Sequence, residues 1–186
     1  MTAAWQQILE RGTELQEKFR QRGSVAWYRG HASSEWPLRS SLHRHVEELL
    51  SSVGPAEEQE KISFLREQYK TLYYKFVADA WPLLDSRERS DWGAIFSMQH
   101  HGIPTRLLDW TESFTCALYF AQWERKPEDK AAIYVLDPQG LNLLSCGRDA
   151  LISLDEEYAE RMLKTKWSHP KWVPPDPDLK TIAVSP

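Results

Sequence analysis

Only two cysteines, Cys116 and Cys146, occur in 186 residues. Two are too few for a disulfide framework or a thiolate zinc site, so both are read as core or incidental. No apolar run approaches the roughly 18 to 20 residues that span a bilayer, and the opening MTAAWQQILERG turns polar too soon for a signal peptide. A soluble cytoplasmic protein with no membrane partner is expected. A basic excess is lacking as well: 23 Lys and Arg against 27 Asp and Glu give a net charge of −4 and no global basic footprint, so nucleic-acid binding would need a local patch. There are no internal repeats and no low-complexity tract. Also lacking is any His-x-x-x-His pair with an accompanying carboxylate, and the adjacent His100 and His101 point in different directions in a helix or a strand. No metal is expected.

What is present fits one ordinary domain that buries a core without staples. Hydrophobic residues make up 41% and charged residues 27%, the balance of a globular protein. The excess is aromatic. Nine tryptophans build a heavy core or line ligand clefts, and their helical and strand spacing assigns most of them to the core.

Trp5, Ile8, Leu9, Leu15 and Phe19 share one face of a helix over residues 3–21, with Gly12 as a weak point and Gly23 as its end. Residues 24–28 (SVAWY) read as a short strand running into Arg29-Gly30 and a polar turn, and residues 31–44 as irregular around Pro37. After a turn at 51–55, the periodic series from Ile62 to Ala80 marks a helix of about 25 residues stopped by Pro82. Asp91 is placed to cap a helix through Met98. Gly102 and Pro104 end that helix, and 105–108 reads as a brief strand. From Asp109 onward the apolar positions Phe114, Ala117, Leu118 and Ala121, with Cys116, Phe120 and Trp123 beside them, predict a helix over 111–123 buried around much of its girth. Residues 127–130 form a turn and AAIYVL at 131–136 a strand. A helix over 155–166, a proline-rich loop over 170–177 and a strand over 181–184 complete the reading.

Two stretches carry candidate chemistry. In Trp27-Tyr28-Arg29-Gly30 the guanidinium offers a planar fork of donors suited to phosphate or carboxylate, and glycine lets a ligand or another backbone approach closely. Arg29 is either an anion clamp or the partner of an internal carboxylate; Arg39 and Arg44 extend the positive charge nearby. The second stretch packs Gln99, His100, His101, Thr105, Arg106, Asp109, Trp110 and Thr111 together ahead of a buried helix. Polar groups that dense are satisfied internally or face a cleft. Asp109 or Thr111 caps the helix, or the helix start presents its N–H groups and positive dipole end to an anion. Either histidine could serve as a base, a donor or a buried structural ring. Ser113 and Cys116 lack the context of an activated nucleophile.

WYRG at 27–30, LRSSLHR at 38–44, QHHGIPTRLLDWTESFTCALYFA at 99–121 and AAIYVLDP at 131–138 resemble, in order and spacing, the blocks of FRG domains, the family named for an aromatic-Arg-Gly motif. The resemblance implies a helix over 1–22 and an FRG domain over 23–186 lacking its C-terminal portion. A more remote likeness is to ADP-ribosyltransferases: an aromatic-Arg strand, then a Thr/Ser block leading into a helix. That likeness implies NAD as substrate, with Arg29 and Gly30 at its phosphates or ribose and Thr111 and Ser113 bracing the nicotinamide pocket. Tyr28, Gln99, His100, His101, Thr105, Arg106, Asp109 and Trp110 complete the expected cleft. Such enzymes carry a late carboxylate. Glu156, Glu157 and Glu160 are available in a surface helix, and none is assigned the role.

The fold expected is α/β or α+β, a single domain with a small mixed sheet around a central buried helix, similar to ADP-ribosyltransferases. The function implied is an NAD-binding or NAD-consuming domain in a toxin or phage-defence role, with a protein or nucleic acid as acceptor. The alternative is a non-enzymatic module that binds a nucleotide, nucleic acid or protein through the same cleft. No oligomeric state follows from the sequence.

Overall fold

The apolar periodicity of the first twenty residues is realised as a helix in the computed structural model, which describes residues 3–52, 54–85, 89–157, 159 and 182–185. In chain order the elements are α1 (Ala3–Gln21), β1 (Trp27–His31), α2 (Ser41–Leu50), α3 (Pro55–Ala80), α4 (Asp91–His100), α5 (Phe114–Gln122), β2 (Ala132–Leu136), α6 (Pro138–Cys146), β3 (Ile152–Ser153) and β4 (Val184–Ser185). Helices dominate and the strands pair β1 with β2 and β3 with β4, an α+β fold. The chain divides into two compact units. The described part of the first covers residues 3–38, 109–152 and 182–185; that of the second lies within 39–108 and 153–159.

In the first unit, α1 ends where Gly23 adopts φ +70°, with the Gly23 and Ser24 N–H groups donating to the Arg20 and Phe19 carbonyls. Glycine takes that left-handed turn without strain. Gly12 is no weak point: it is where α1 passes over the Phe114 ring, which a Cβ there would overlap at 2.4 Å. Strand β1 lies later than residues 24–28. Antiparallel pairing with β2 runs from Trp27↔Leu136 through Arg29↔Tyr134 to His31↔Ala132. Arg29 and Gly30 therefore sit within the strand, because the ladder continues through them.

Helix α5 lies on β1. Phe114 meets Tyr28 edge-on at 5.4 Å, and Ala26 and Ala117 close the cluster with Leu9, Phe19, Leu118 and Ile133. The helix is not buried all round: Phe114, Ala117 and Ala121 face inward, whereas Tyr119, Phe120 and Trp123 are exposed. A helix that lies on a sheet through a face of small residues leaves its large rings on the other side. Helix α6, unforeseen in the sequence, carries ordinary signals: Asp137 accepts from Gly140 N–H, Pro138 opens it and Gly147 closes it at φ +74°. Its fully buried Asn142 donates to the carbonyls of Ala150 and Ala183 and accepts from Ala183 N–H, fastening the approach to β4.

In the second unit, α2 replaces part of the irregular stretch expected to residue 44. Ser40 caps it by accepting from His43 N–H. Helix α3 runs as predicted and stops two residues before Pro82. Ser90, not Asp91, caps α4 by accepting from Gly93 N–H. Asp91 instead accepts from the Tyr73 hydroxyl at 2.6 Å. Burial first, then that bond, raises the Tyr73 pKa above its ordinary value. Tyr73, Ala94 and Met98 form this unit's buried cluster. No strand forms over 105–108. Of the C-terminal expectations, residue 158, residues 160–166, the loop over 170–177 and Thr181 lie outside the described residues.

Tryptophan does not build the core. Among the described residues, Trp5, Trp36, Trp81 and Trp123 are exposed, and Trp27, Trp92 and Trp110 are half-buried. Rings this large are seldom wholly enclosed, and Tyr28, Phe114, Tyr73 and Met98 take the interior instead.

Candidate functional site

The residues singled out in the sequence fall into both units. Arg29, Gly30, Tyr28, Asp109, Trp110, Thr111 and Ser113 belong to the first; Gln99, His100, His101, Thr105 and Arg106 belong to the second.

In the first unit β1 has a partner on each edge. β2 lies along one. On the other, Tyr28 N–H donates to the Thr111 carbonyl at 2.7 Å and Thr111 N–H donates back to the Tyr28 carbonyl at 2.9 Å. Residues 83 positions apart are thereby joined, and the chain runs on from Thr111 into α5. Because side chains alternate along a strand, Tyr28 and Gly30 face α5, while Trp27, Arg29 and His31 face the other way.

Gly30 answers the question of what approaches it. A Cβ there would stand 1.9 Å from the Ala117 carbonyl oxygen and 2.6 Å from Ala121 N, so the approaching group is the α5 backbone. Tyr28 is fully buried beside it. Its hydroxyl finds no hydrogen-bond partner among the described residues, and burial raises its pKa.

On the opposite face the half-buried Arg29 donates from Nη1 to the Asp109 backbone carbonyl at 2.6 Å and from Nε to His31 Nε2 at 3.1 Å. His31 is itself buried, at 7% exposure, which an imidazole accepting a bond and flanked by aromatic rings can sustain. Its ring meets Tyr134 edge-on at 4.9 Å and Trp36 at 6.2 Å. The Asp109 carbonyl and His31 Nε2 thus help to set the plane of the Arg29 fork.

Thr111 and Ser113 have local duties. Thr111 Oγ1 accepts from Ser113 N–H, and Ser113 Oγ accepts from Cys116 N–H and bonds Thr115 Oγ1. Ser113 is the cap of α5, in place of the expected Asp109 or Thr111. Trp110 is half-buried between them and the exposed Asp109.

In the second unit the polar density is largely consumed in structure. Fully buried Thr105 donates from Oγ1 to Gln99 Oε1, accepts from Leu107 N–H, and is bound through its backbone to Ser41 and Leu42 at the start of α2. Those bonds occupy the groups a strand would need. Gly102, at φ +73°, ends α4 in a left-handed turn, and its N–H donates to the Gln99 carbonyl. His100 and His101 are exposed, their rings 5.3 Å apart. Arg106 is half-buried near Tyr69; burial lowers its pKa, and Tyr69 opposes that shift. Arg39 pairs with Glu47, and Arg44 donates to the Arg39 carbonyl. Among the described residues no group of three His, Cys, Asp or Glu could hold a metal ion.

His31, Trp36 and Tyr134 were missed in the sequence. The alternation Arg29, x, His31 was the signal for His31; Tyr134 emerges only from the strand register.

No curated protein and no solved structure matches the chain. The model of the FRG domain matches residues 24–130, more than half of the sequence, and takes in both β1 and the Thr111–Ser113 entry to α5. With its aromatic, arginine and glycine in place at Tyr28, Arg29 and Gly30, the chain belongs to the FRG domain family.

Proposed function

We propose that this FRG domain is an ADP-ribosyltransferase-like domain that binds NAD through Arg29 and consumes it in a toxin or phage-defence role. One observation carries the reading. The Arg29 strand and the Thr111–Ser113 block are joined by the paired Tyr28–Thr111 backbone bonds and by the Arg29–Asp109 contact, with α5 packed on the same strand. A guanidinium held on the strand by the Asp109 carbonyl and His31 presents the planar donor geometry that suits the pyrophosphate of a dinucleotide. Thr111 and Ser113 act by shaping the entry to α5, since their hydroxyls are engaged there. Breaking the nicotinamide–ribose bond builds an oxocarbenium-like cation, which positioning and nearby negative charge stabilise. The reading gives Arg29 a binding role and assigns no catalytic carboxylate.

The test is calorimetric titration of NAD into the wild type and Arg29→Ala, with labelled NAD and protein or nucleic-acid acceptors in parallel. Binding lost in Arg29→Ala, together with label transfer by the wild type, is expected. Neither binding nor transfer by the wild type refutes the reading. Binding without transfer favours the non-enzymatic module on the same face.

A further inference from the structure

The face of the β1–β2 sheet that carries Arg29 holds more than a cation. Antiparallel register places Tyr134 directly opposite Arg29, and alternation places His31 on the same face two residues on. The His31 imidazole stands between the Arg29 guanidinium, 3.1 Å from its Nε2, and the Trp36 indole, 6.2 Å from its centroid. Trp36 is 53% exposed while the two rings behind it are buried or half-buried.

That exposure is not the looseness of a free loop. Ser34 N–H donates to the Lys130 carbonyl at 2.6 Å, and Trp36 N–H to the Ser33 carbonyl at 3.3 Å. Glu35 N–H donates to Ser33 Oγ at 3.3 Å, and the Tyr134 hydroxyl donates to the Trp36 carbonyl at 3.3 Å. The backbone on both sides of the indole is therefore tied to the sheet. An aromatic surface held in place before binding spares a ligand the entropy of ordering it. What sets Trp36 apart from the other exposed tryptophans is its place: its ring neighbours His31, which in turn accepts from Arg29.

We infer that Trp36 and Arg29 form a ring-plus-anion subsite: the Trp36 indole takes the planar base of a nucleotide, and Arg29 takes its phosphate. His31 is the positioning residue between them, backing the indole and orienting the guanidinium. The inference deepens the NAD reading, on which it rests for the identity of the dinucleotide, by assigning one mononucleotide half of it to this face. Stacking tolerates any base, because every base presents a π-face, whereas the guanidinium selects for an anionic group, which on a nucleotide is the phosphate. The ligand class is thus a nucleoside phosphate, free or as half of a dinucleotide.

The experiment is calorimetric titration of AMP and of NAD into the wild type, Trp36→Ala, Trp36→Leu, Trp36→Phe and Arg29→Ala, each checked for folding by circular dichroism. Trp36→Ala and Trp36→Leu should both weaken AMP about 10-fold or more, and Trp36→Phe should restore most of that, since stacking needs a ring and not bulk. Trp36→Leu or Trp36→Ala binding AMP as the wild type does would overturn the subsite. So would a wild type that binds neither nucleotide. If AMP binds in a Trp36-dependent way and NAD does not, the subsite stands and the NAD reading fails. If NAD binding depends on Arg29 and not on Trp36, the reverse holds.

Discussion

Replacing Gly30 by alanine is the sharpest test of how β1 and α5 are held together. The new methyl carbon would lie 1.9 Å from the Ala117 carbonyl oxygen and 2.6 Å from Ala121 N. Both obstacles are backbone atoms within one helix, so no side-chain rotation relieves the overlap, and α5 must lift away from the strand. That movement strains the Tyr28–Phe114–Ala117 cluster, in which α1, β1, α5 and β2 meet. Overpacking typically costs about 1–3 kcal/mol, and a rigid backbone obstacle places this variant at or beyond the upper end. At about 2–4 °C per kcal/mol for a chain of this size, Tm should fall by roughly 6–12 °C. The assay is thermal and urea unfolding followed by circular dichroism, with two reference variants. Gly54→Ala meets nothing within 4 Å at a helix cap, where the loss of a preferred cap residue and the smaller entropy of the unfolded chain oppose each other, and should change stability by less than about 1 kcal/mol. Gly12→Ala meets the Phe114 ring at 2.4 Å, a side chain with some freedom to yield, and should fall between the other two. A Gly30→Ala protein that melts with Gly54→Ala would refute the account of the motif glycine as the point of helix–strand contact.

Two further perturbations probe the buried phenols. Tyr28→Phe removes a buried hydroxyl that lacks a partner among the described residues, a group whose unsatisfied burial costs about 1–3 kcal/mol. The variant should match or exceed the wild type in urea midpoint, and a clear loss would mean the hydroxyl is engaged. In the second unit, burial pushes Tyr69 up to about 12, partly opposed by Arg106, and raises Tyr73 further with help from Asp91. Folded tyrosines that keep their protons above the unfolded value near 10 contribute stability that is full below that pH and lost as pH climbs toward their folded values. The slope is about 1.4 kcal/mol per pH unit for each tyrosine. Urea midpoints should therefore hold up to a pH near 10 and drop above it, less steeply in Tyr73→Phe. A flat profile through that window in the wild type would remove the basis for the prediction.

The long elements were legible because periodicity reports burial: α1, α3 and β2 lie where apolar spacing puts them. Boundaries set by a single hydrogen bond were not. Asp109, Thr111 and Ser113 all preceded α5 as possible caps, and the choice of Ser113 depends on where the Tyr28–Thr111 pairing ends. Strand β1 was displaced for a related reason. Apolar residues in 24–28 suggested a strand, but the ladder is defined by β2, more than a hundred residues later, and continues through Arg29 and Gly30 to His31. The polar density at 99–105 was visible, and its main use was not: Thr105 and Gln99 serve the start of α2, an element hidden behind Pro37. Tryptophan content misled because abundance does not say which side of a sheet a ring occupies.

The aromatic-Arg-Gly triplet follows from the two-residue period of a strand. Tyr28 and Gly30 point to one face, where the first contributes a ring edge-on to Phe114 and the second contributes the absence of a side chain, so that the α5 backbone can come within contact distance. Arg29, between them, points to the other face, toward the Asp109 carbonyl, His31 and Tyr134. Two of the three motif positions are thus explained by packing. In the proposed function the ligand-binding role falls to the third. Substitutions at Tyr28 or Gly30 should act on binding only as far as they disturb the fold, whereas Arg29, on the face of the strand away from α5, can be changed with the helix contact intact. A motif spelled as three adjacent letters has a single side chain on the face away from α5, and that side chain is where the proposed binding has to be tested.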